Sequence, residues 1–300
     1  MLRYIVQRFF QSLLTLFVVV TVVFILMRFM PIEGFFGPNY DKLDPEQQQA
    51  ILRSMGLLDP LHIQLKNFYL QLLRGDLGTS TIFRPNVPVW EIIAPKIPYS
   101  LFLGWASLTL SITIGFTLGV FMARYKSTFL DRLGTLYIVI INAVPSAVYY
   151  LFLQLYGKDL LNLPMLFDPD NPKSWILPII SMALGGIAGN AMWMRRYMVD
   201  ELNKDYIRLA RAKGMRNSAI MFKHVMRNAM IPMVHGIPTS ILLVMVGSLY
   251  IESLYSIPGM GGLLIQAIQR QDTPLVQALV LIFSAFSIFG LFMGDLLMAA

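Results

Sequence analysis

The sequence has no cysteine, only three histidines and few charged side chains. Without cysteine, disulfide bonds and cysteine-ligated metal sites are excluded. Charged residues make up 14% of the chain and hydrophobic residues 56%, whereas about a quarter of a soluble domain is charged. The mean hydropathy of +0.61 is correspondingly high. This composition predicts an integral membrane protein.

Common catalytic motifs are also missing. The sequence has no Gly-x-x-x-x-Gly-Lys-Ser/Thr phosphate loop, and its one Gly-Lys pair, Gly157-Lys158, is followed by aspartate. The histidines form no His-Glu-x-x-His pattern, and no Gly-x-Ser-x-Gly elbow occurs. We therefore predict a non-catalytic chain with no metal site and no bound cofactor, in which any nucleotide hydrolysis belongs to another polypeptide.

Six apolar stretches are long enough to cross a bilayer as helices. A span needs about 20 apolar residues, and a helix satisfies its own backbone hydrogen bonds in hydrocarbon. The first stretch follows a basic start, but its uncharged run from Phe9 to Met27 is longer than a signal-peptide core and no small-residue cleavage pattern follows. We expect it to be retained. The predicted spans are Phe9–Met30, Tyr99–Ala123, Leu133–Tyr156, Trp175–Met194, Ile231–Ile251 and Leu275–Leu297.

Lysine and arginine in short connections predict the orientation, because they are retained on the cytoplasmic side. Lysine or arginine occurs before span one and in the connection between spans two and three. Nine more lie between Arg195 and Arg227. Both termini are therefore predicted to be cytoplasmic. The chain then divides into residues 1–30 with span one, an extracytoplasmic segment 31–98, and a permease-like core 99–300 of spans two to six, which includes a cytoplasmic loop at 195–230.

The extracytoplasmic segment carries helix signals. Asp44-Pro45 with Gln47, and Asp59-Pro60, each predict an N-cap followed by proline at the first helical position. Apolar residues then share one helical face that ends at Gly75; they are Leu61, Leu65, Phe68 and Leu72. We expect a small helical cap over the outer mouth of the protein. A helix lying on the membrane surface is the alternative.

Ionisable residues within spans characterise ion-coupled transporters, because they hold the coupling ion. The first four predicted spans carry no charged side chain except Arg28 near the end of the first. His235 lies near the start of the fifth, and Glu252 and Asp295 lie near span ends. A lone histidine is more often hydrogen-bonded than a proton relay. The pattern weighs against an ion-coupled secondary carrier, which stays as the alternative from another class, beside a membrane scaffold or an intramembrane enzyme.

The densest positive charge lies between spans four and five. Asp205 predicts the cap of a helix from Tyr206 to Lys213, and Gly214 suits the left-handed position after its end. Asn217 or Ser218 predicts the start of a second helix that runs to about Ala229. The loop is thus expected to form a helix-turn-helix that projects beyond the bilayer.

One face of the first loop helix suits a protein partner. Ile207, Ala210 and Gly214 form a stripe of mostly small side chains beside the basic residues Arg208 and Arg211. Small residues let another backbone approach closely, whereas a lipid-bound helix is expected to present bulky apolar residues. We favour protein docking over lipid attraction or simple topological anchoring.

Several motifs together resemble a known family. Tyr206-Ile207-Arg208, Ala210 to Gly214, His224, Arg227-Asn228-Ala229 and Pro232 resemble the EAA loop of ABC importer permeases, in their dipeptide, oligopeptide and nickel branch. Other motifs extend the resemblance over nearly the whole chain. These are Gly75-Asp76-Leu77-Gly78-Thr79-Ser80, Val87-Pro88-Val89 to Pro98, and Glu252 with Ser256-Ile257-Pro258-Gly259-Met260-Gly261. Arg208 and Leu209 depart from the general pattern, which has glutamate and alanine there.

The resemblance implies an all-α, type I ABC importer permease of the bacterial or archaeal plasma membrane. In that family the loop forms a coupling helix seated in a cleft of the ATPase subunit. It implies as partners a homologous second permease, two ATPase subunits that hold ATP and magnesium, and an extracytoplasmic substrate-binding protein, within membrane lipid and without nucleic acid. The coupling residues it implies are Tyr206, Arg208, Ala210, Arg211, Ala212, Lys213, Gly214, His224 and Arg227.

The substrate implied by this branch is an oligopeptide or dipeptide, with nickel as the alternative because nickel permeases share the motifs. The pathway is expected to be lined by polar and small residues of spans two to five. Asn142, Ser146 and Asn190 are the candidates, and hydrogen bonding between helices is the alternative role for them. Gly185, Gly186 and Gly189 indicate close helix packing more often than substrate contact.

Overall fold

The protein is mainly helical in the part of the chain that the computed structural model describes, which is residues 2–29, 43–244 and 248–299. Within these residues the only strand-like pairing is one bridge between Thr79 and Pro88. The α-helices are α1 Leu2–Arg28, α2 Pro45–Ser54, α3 Leu61–Leu73, α4 Val89–Ile93, α5 Ile97–Arg124, α6 Phe129–Ala143, α7 Ser146–Phe152, α8 Lys158–Leu161, α9 Ile176–Leu202, α10 Asp205–Ala212, α11 Asn217–Ile220, α12 Met226–Leu243, α13 Leu249–Leu254, α14 Met260–Gln269 and α15 Thr273–Ala299. The all-α prediction is confirmed.

Four helical segments in the described part are long and apolar enough to cross a bilayer. They are Arg3–Arg28, Val89–Arg124, Pro172–Leu202 and Thr273–Leu296. They overlap the first, second, fourth and sixth predicted spans. The second and fourth extend beyond both predicted limits because the helix continues through polar residues at its ends. The first and sixth begin earlier than predicted and end at Arg28 and Leu296, and Met30 lies outside the described residues. A bent pair of helices brings the number to as many as five.

The third predicted span, Leu133–Tyr156, is wrong as a single helix. The chain bends by 108° between α6 and the helical stretch Ser146–Leu161. Val144 has an extended backbone with ψ 130°, and Pro145 has ψ 133°. Proline has no N–H to continue the helical ladder and disfavours helical geometry in the residue before it. A proline in the middle of an apolar run therefore ends α6 instead of being absorbed by neighbouring helices.

The fifth predicted span, Ile231–Ile251, is also not one helix. It begins within α12, which ends at Leu243, while residues 245–247 lie outside the described part of the chain. Ser248 then has extended backbone angles, and its hydroxyl accepts a hydrogen bond from the N–H of Ile251 at 3.3 Å. A serine in this geometry is an N-cap. The last residues of the predicted span thus start a separate short helix, α13.

The pair α5 and α9 forms the close-packed centre of the fold. A Cβ placed on Gly119 would lie 2.7 Å from the carbonyl oxygen of Ala191, and one on Gly115 would lie 2.6 Å from Cβ of Asn190. A Cβ on Gly186 would lie 2.8 Å from Cβ of Ser111. Such distances are too short for real Cβ contacts, so small residues are required here. They let two helix backbones meet closely, as is common between membrane helices.

The helices α2 and α3 confirm the helix signals read between spans one and two. Asp44 is the N-cap of α2 with Pro45 after it, whereas α3 begins one residue later than predicted, with Pro60 as its N-cap. The contacts of α3 differ from those expected for the predicted cap over the outer mouth. Its Phe68 and Tyr69 stack on α1, and the Tyr69 hydroxyl lies 2.6 Å from that of Thr21. The apolar face of α3 therefore lies along the side of α1.

A buried ion pair ties α6 to α9. The Arg195 guanidinium donates to both carboxylate oxygens of Asp131, at 2.6 and 2.8 Å, and the N–H of Ser127 donates to the same carboxylate at 2.9 Å. Asp131 is only 4% exposed. A bidentate pair with an additional backbone donor satisfies a buried carboxylate well. It fixes the turn before α6 against the end of α9.

Removing one charge from this pair should destabilise the protein. We expect Asp131→Asn to lower the free energy of unfolding by about 3 kcal/mol, because it leaves a partly buried guanidinium without its counter-ion. The measurement is thermal unfolding of the purified chain in nanodiscs. Arg208→Gln is the control, because Arg208 pairs with Asp205 on an exposed surface and such pairs contribute about 0–1 kcal/mol. Equal effects of the two variants would contradict the prediction.

Candidate coupling surface

The helix α10 forms the first half of the loop between α9 and α12. Asp205 is its first residue and not its N-cap, which is Lys204, so the predicted cap is wrong by one residue. The carboxylate still lies in the first turn, where its negative charge interacts favourably with the positive end of the helix dipole. After the helix, Gly214 has φ +76°, and its N–H donates to the carbonyl of Arg211 at 2.9 Å. The predicted left-handed glycine is confirmed.

Two of the three residues in the stripe of small residues on α10 face the chain's own core. Ile207 is fully buried and Ala210 is 7% exposed; they pack in a cluster with Met194, Met198 and Val225. The interpretation as a surface for a partner's backbone is therefore wrong for Ile207 and Ala210, whereas Gly214 is exposed. The spacing of the stripe correctly indicates a face that is covered, but the sequence does not show which neighbour covers it. Here the neighbours are the adjacent ends of α5, α9 and α12.

The opposite side of α10 is open and mixes apolar with basic side chains. Leu209 is 57% exposed, and Arg208, Arg211, Ala212 and Lys213 around it are exposed. Phe222, in the helical stretch after α11, is 47% exposed. We define the coupling surface as residues 208, 209, 211–213 and 222. Leu209 and Phe222 are thus two bulky apolar side chains left exposed in a strongly basic loop, and we treat their surroundings as a candidate contact surface.

The hydroxyl of Tyr206 holds α10 in place. It donates to the carboxylate of Glu201, at the end of α9, and accepts from Nδ2 of Asn228 in α12 at 2.8 Å. Burial raises the pKa of Tyr206, and the hydrogen bond to Glu201 raises it further. The phenol is protonated at neutral pH even at its ordinary pKa, so it can keep donating to Glu201. One side chain thus connects the loop helix to the two long helices on either side of it.

The second predicted loop helix is continuous with α12. The chain runs from α11 through one π-helical stretch, Met221–Val225, directly into α12. The prediction that this helix ends near Ala229 is therefore wrong. His224 lies half-buried in the π-helical stretch, and Arg227 is exposed on the first turn of α12. Because no turn separates α11 from α12, the second loop helix and α12 form one continuous helical stretch.

The nine predicted coupling residues are thus only partly brought together. Arg208, Arg211, Ala212 and Lys213 lie on the coupling surface, and Gly214 ends it. Ala210 is buried and Tyr206 is engaged in the hydrogen bonds described above, while His224 and Arg227 follow on the second helix. Leu209 and Phe222 were missed as site residues. The signal that could have identified them is a bulky apolar side chain next to cations in a polar loop.

The three predicted pathway residues occupy two different places. Asn142 and Ser146 flank the break at Pro145, and both are exposed. Asn190 lies on α9, half-buried, with its Cβ close to Gly115 of α5. The break therefore brings two of the three together on an open surface, and the third belongs to the contact between α5 and α9.

The Ser256-Ile257-Pro258-Gly259-Met260-Gly261 motif encloses a buried carboxylate. Oε2 of Glu252 accepts hydrogen bonds from the N–H groups of Gly261 at 2.7 Å and Gly262 at 3.0 Å, and Glu252 is fully buried. The N–H of Met260 donates to Oγ of Ser100 at 2.8 Å. The carboxylate thus fills the N-terminus of α14 from within the chain, a favourable position for an anion. This motif has an evident structural role.

A second buried carboxylate fixes the segment that precedes α4. Asp272, at the start of α15, accepts from Oγ of Ser80 at 2.5 Å and from the N–H groups of Ile82 at 3.0 Å and Phe83 at 2.7 Å. Successive backbone N–H groups of this kind form an anion-binding concavity. The predicted extracytoplasmic segment is therefore attached to α15 by a charged side chain nearly 190 residues away in sequence.

Two family models match the chain. Residues 115–300 match the family model described as the binding-protein-dependent transport system inner membrane component. Residues 1–104 match the model described as the N-terminal part of the binding-protein-dependent transport system membrane component. Together the two models cover nearly the whole chain.

Individual relatives carry transport names. The chain is 33% identical to the dipeptide transport system permease protein of Lactococcus lactis subsp. cremoris, over 100% of this chain and 97% of that protein. It is 33% identical to the glutathione transport system permease protein of Salmonella typhimurium, with the same coverage. It is 36% identical to the oligopeptide transport system permease protein AmiC of Streptococcus pneumoniae, over 66% of this chain and 40% of that protein.

Two substitutions on opposite faces of α10 test the burial pattern. We expect Ile207→Ala to lower the free energy of unfolding by about 3 kcal/mol, because it opens a cavity in a packed core. Leu209→Ala should change it by less than about 0.5 kcal/mol, because that side chain is exposed. Thermal unfolding in nanodiscs measures both. A larger loss for Leu209→Ala would mean that α10 packs by its other face.

Proposed function

Because the chain belongs to the family of binding-protein-dependent transport system inner membrane components, the permeases of ABC importers, we propose that it forms one half of the translocation pathway of an ATP-driven peptide importer. It is a multi-pass membrane protein, and the permease acts as a transport component. The names of the relatives, which transport dipeptides, glutathione and oligopeptides, support peptides as the substrate class. Nickel is the alternative substrate within the family.

The observation that carries the proposal is the coupling surface. Leu209 and Phe222 are uncovered by this chain, while Ile207 on the other side of α10 is fully buried. Exposed apolar side chains with basic neighbours along the chain suit a cleft with an apolar floor and acidic edges. We propose that an ATPase subunit supplies this cleft. The importer would contain two such subunits, one docked on each of two permeases, and both would bind ATP and magnesium.

The remaining partners follow from the pathway. Asn142 and Ser146 are exposed at the break at Pro145, so the described part of this chain does not cover them. We propose that a homologous second permease completes the wall, and that Asn142 and Ser146 face the shared pathway. An extracytoplasmic binding protein would deliver the peptide to the side that carries α2, α3 and the segment held by Asp272.

The membrane topology that this mechanism requires has six crossings with both termini and α10 on the cytoplasmic side. The third crossing would be the bent pair α6 and α7, and the fifth would begin with α12. The supporting pattern is the concentration of lysine and arginine in residues 195–227. We propose that the protein lies in the plasma membrane of a bacterial or archaeal cell.

ATP binding would act on the spans through α10. Closure of the ATPase pair displaces the helix, and the core around Ile207 transmits the displacement to α9 and α12 because these helices share one packed cluster. A ligand shifts the balance between inward-open and outward-open states only through different affinities for them. The docked binding protein should therefore prefer the outward-open state.

Reconstitution tests the function directly. Proteoliposomes that contain this chain, a second permease, two ATPase subunits and the binding protein should accumulate a labelled tripeptide only when ATP is present on the ATPase side. Uptake without the ATPase subunits, driven by a proton or sodium gradient, would instead establish a secondary carrier. Uptake of nickel without peptide uptake would establish the alternative substrate.

A charge introduced at Leu209 by substitution tests the docking site. We expect Leu209→Asp to weaken ATPase binding at least tenfold, because it places a carboxylate in the apolar centre of the contact. Leu209→Met is the matched control, since it keeps an apolar side chain of similar volume. Co-purification and affinity measurement in nanodiscs provide the readout. Unchanged binding of Leu209→Asp would exclude this face of α10.

The left-handed glycine provides a separate test. We expect Gly214→Leu to reduce uptake at least tenfold per ATP hydrolysed, because a branched side chain is strained at φ +76° and the end of α10 must shift. A Cβ at this position meets nothing within 4 Å in this chain, so the cause is backbone strain. Gly214→Asn is the control, because asparagine tolerates this conformation. Normal uptake by Gly214→Leu would contradict the role of this turn.

A further inference from the structure

Three basic side chains meet around the turn at residues 80–87, on the side of the bundle that carries α2 and α3. Arg84 lies in this turn and is exposed. Lys96, half-buried just before α5, is close enough to Arg84 for the two positive charges to repel each other. The guanidinium carbon of Arg270, just after α14, lies 4.9 Å from the centroid of the Phe83 ring. We call Arg84, Lys96 and Arg270 the cation cluster.

The cation cluster has no counter-ion in the described part of the chain. Among residues 2–29, 43–244 and 248–299, every ion pair within 4.0 Å involves other side chains. Asp272, two residues after Arg270, is buried and already accepts hydrogen bonds from the backbone of the turn. Like charges held together without an acid repel each other. The arrangement therefore opposes folding of the chain by itself.

The turn that carries Arg84 is held in one conformation by buried hydrogen bonds. Oγ of Ser80 donates to the carboxylate of Asp272 and accepts from the N–H of Arg84 at 2.9 Å. The N–H of Asn86 donates to the carbonyl of Ser80 at 3.0 Å. The backbone on both sides of Arg84 is thus fixed, while its guanidinium remains exposed. A group presented in this way loses little conformational freedom when it binds a partner.

The distribution of charge along the chain does not account for the cluster. Lysine and arginine are concentrated on the cytoplasmic side of membrane proteins, and the proposed topology places this turn on the other side. Residues 31–98 carry six basic and seven acidic side chains, so the segment has no general excess of positive charge. The concentration of cations is local, and a local concentration indicates an anionic ligand.

A protein carboxylate fits the exposed part of the cluster best. The guanidinium of arginine forms paired hydrogen bonds with carboxylate or phosphate. Pro85 and Asn86, which follow Arg84, are also exposed, so the tip of the turn has no bulky apolar side chain. A surface that binds lipid is expected to present bulky apolar residues beside its basic ones. The tip therefore suits the acidic side chains of a protein better than lipid phosphate.

We infer that the cation cluster docks acidic side chains of the extracytoplasmic substrate-binding partner, with Arg84 as the main contact. The inference rests on the proposed function, which supplies this partner. Opposite charges across a contact increase the rate of encounter and fix the register of docking more than they raise affinity. Because Asp272 joins the turn to the start of α15, a partner held here would be connected to a long helix of the bundle.

The test measures binding of the substrate-binding protein used in the reconstitution to the assembled importer in nanodiscs. At about 50 mM salt, where charges are weakly screened, we expect Arg84→Gln to lower the association rate constant about fivefold. Raising the salt to about 500 mM should slow association of the wild type and bring the two rate constants together. Surface plasmon resonance at both salt concentrations provides the rate constants.

Two control variants separate recognition from folding. Lys173→Gln removes an exposed cation that precedes α9 and is not in the cluster, and it should change the association rate constant less than about twofold. Arg84→Lys keeps the charge and should retain most of the rate. Because the clustered cations repel each other, the unfolding midpoint of Arg84→Gln should match or exceed that of the wild type. A purely structural role for Arg84 predicts a lower midpoint.

The outcomes that overturn the inference differ from those that overturn the proposed function. Equal association of wild type and Arg84→Gln at low salt would overturn the inference, while ATP-driven uptake would still support the importer. Trp90 is exposed on α4, so lipid is tested in nanodiscs of phosphatidylcholine and phosphatidylglycerol. Loss of bound phosphatidylglycerol from Arg84→Gln in native mass spectrometry, with unchanged partner binding, would assign the cluster to lipid instead. A wild-type importer that binds no such protein would overturn both the proposed partner and the inference.

Discussion

The close approach of α5 and α9 is the constraint on which the rest of the chain depends. Gly115 and Gly119 allow backbone to meet backbone, and any larger residue would force the helices apart. At one end of the pair, Ala123 and Met194 form part of the core that receives α10. At the other end, Leu103 and Leu177 belong to the core that receives α13. Separation of the two helices would disturb both ends at once.

Buried carboxylates complete what helix packing begins. In the described part of the chain, Asp131, Glu252 and Asp272 are the buried acids, and each accepts at least two hydrogen bonds from segments remote in sequence or from a turn. A buried charge is tolerated only when it is paired and fully hydrogen-bonded. Each acid therefore specifies one arrangement of irregular backbone, where apolar packing alone would allow several. This explains why a chain with few charges places three of them inside.

The sequence was informative where a single physical rule decides the structure. Apolar length predicted helices at four spans, and Gly214 was correctly identified because few other residues adopt a positive φ. It failed where two rules compete: Pro145 could have been accommodated within a span by neighbouring helices, but it ends α6. For the site, the basic loop was recognised but its orientation was not. Burial of Ile207 depends on which helices surround α10, and hydrophobic periodicity does not contain that information.

The rigidity of the loop determines where the protein can change shape. Ile207 in the packed core and the Tyr206 hydroxyl between Glu201 and Asn228 give α10 no independent hinge. The second loop helix enters α12 without a turn. A displacement of α10 must therefore move the adjoining ends of α9 and α12 together. The sites left to absorb bending are those where the helical ladder is already interrupted, and the clearest of these is the 108° break after α6. A force applied at α10 would thus act on the break after α6, which Asn142 and Ser146 flank.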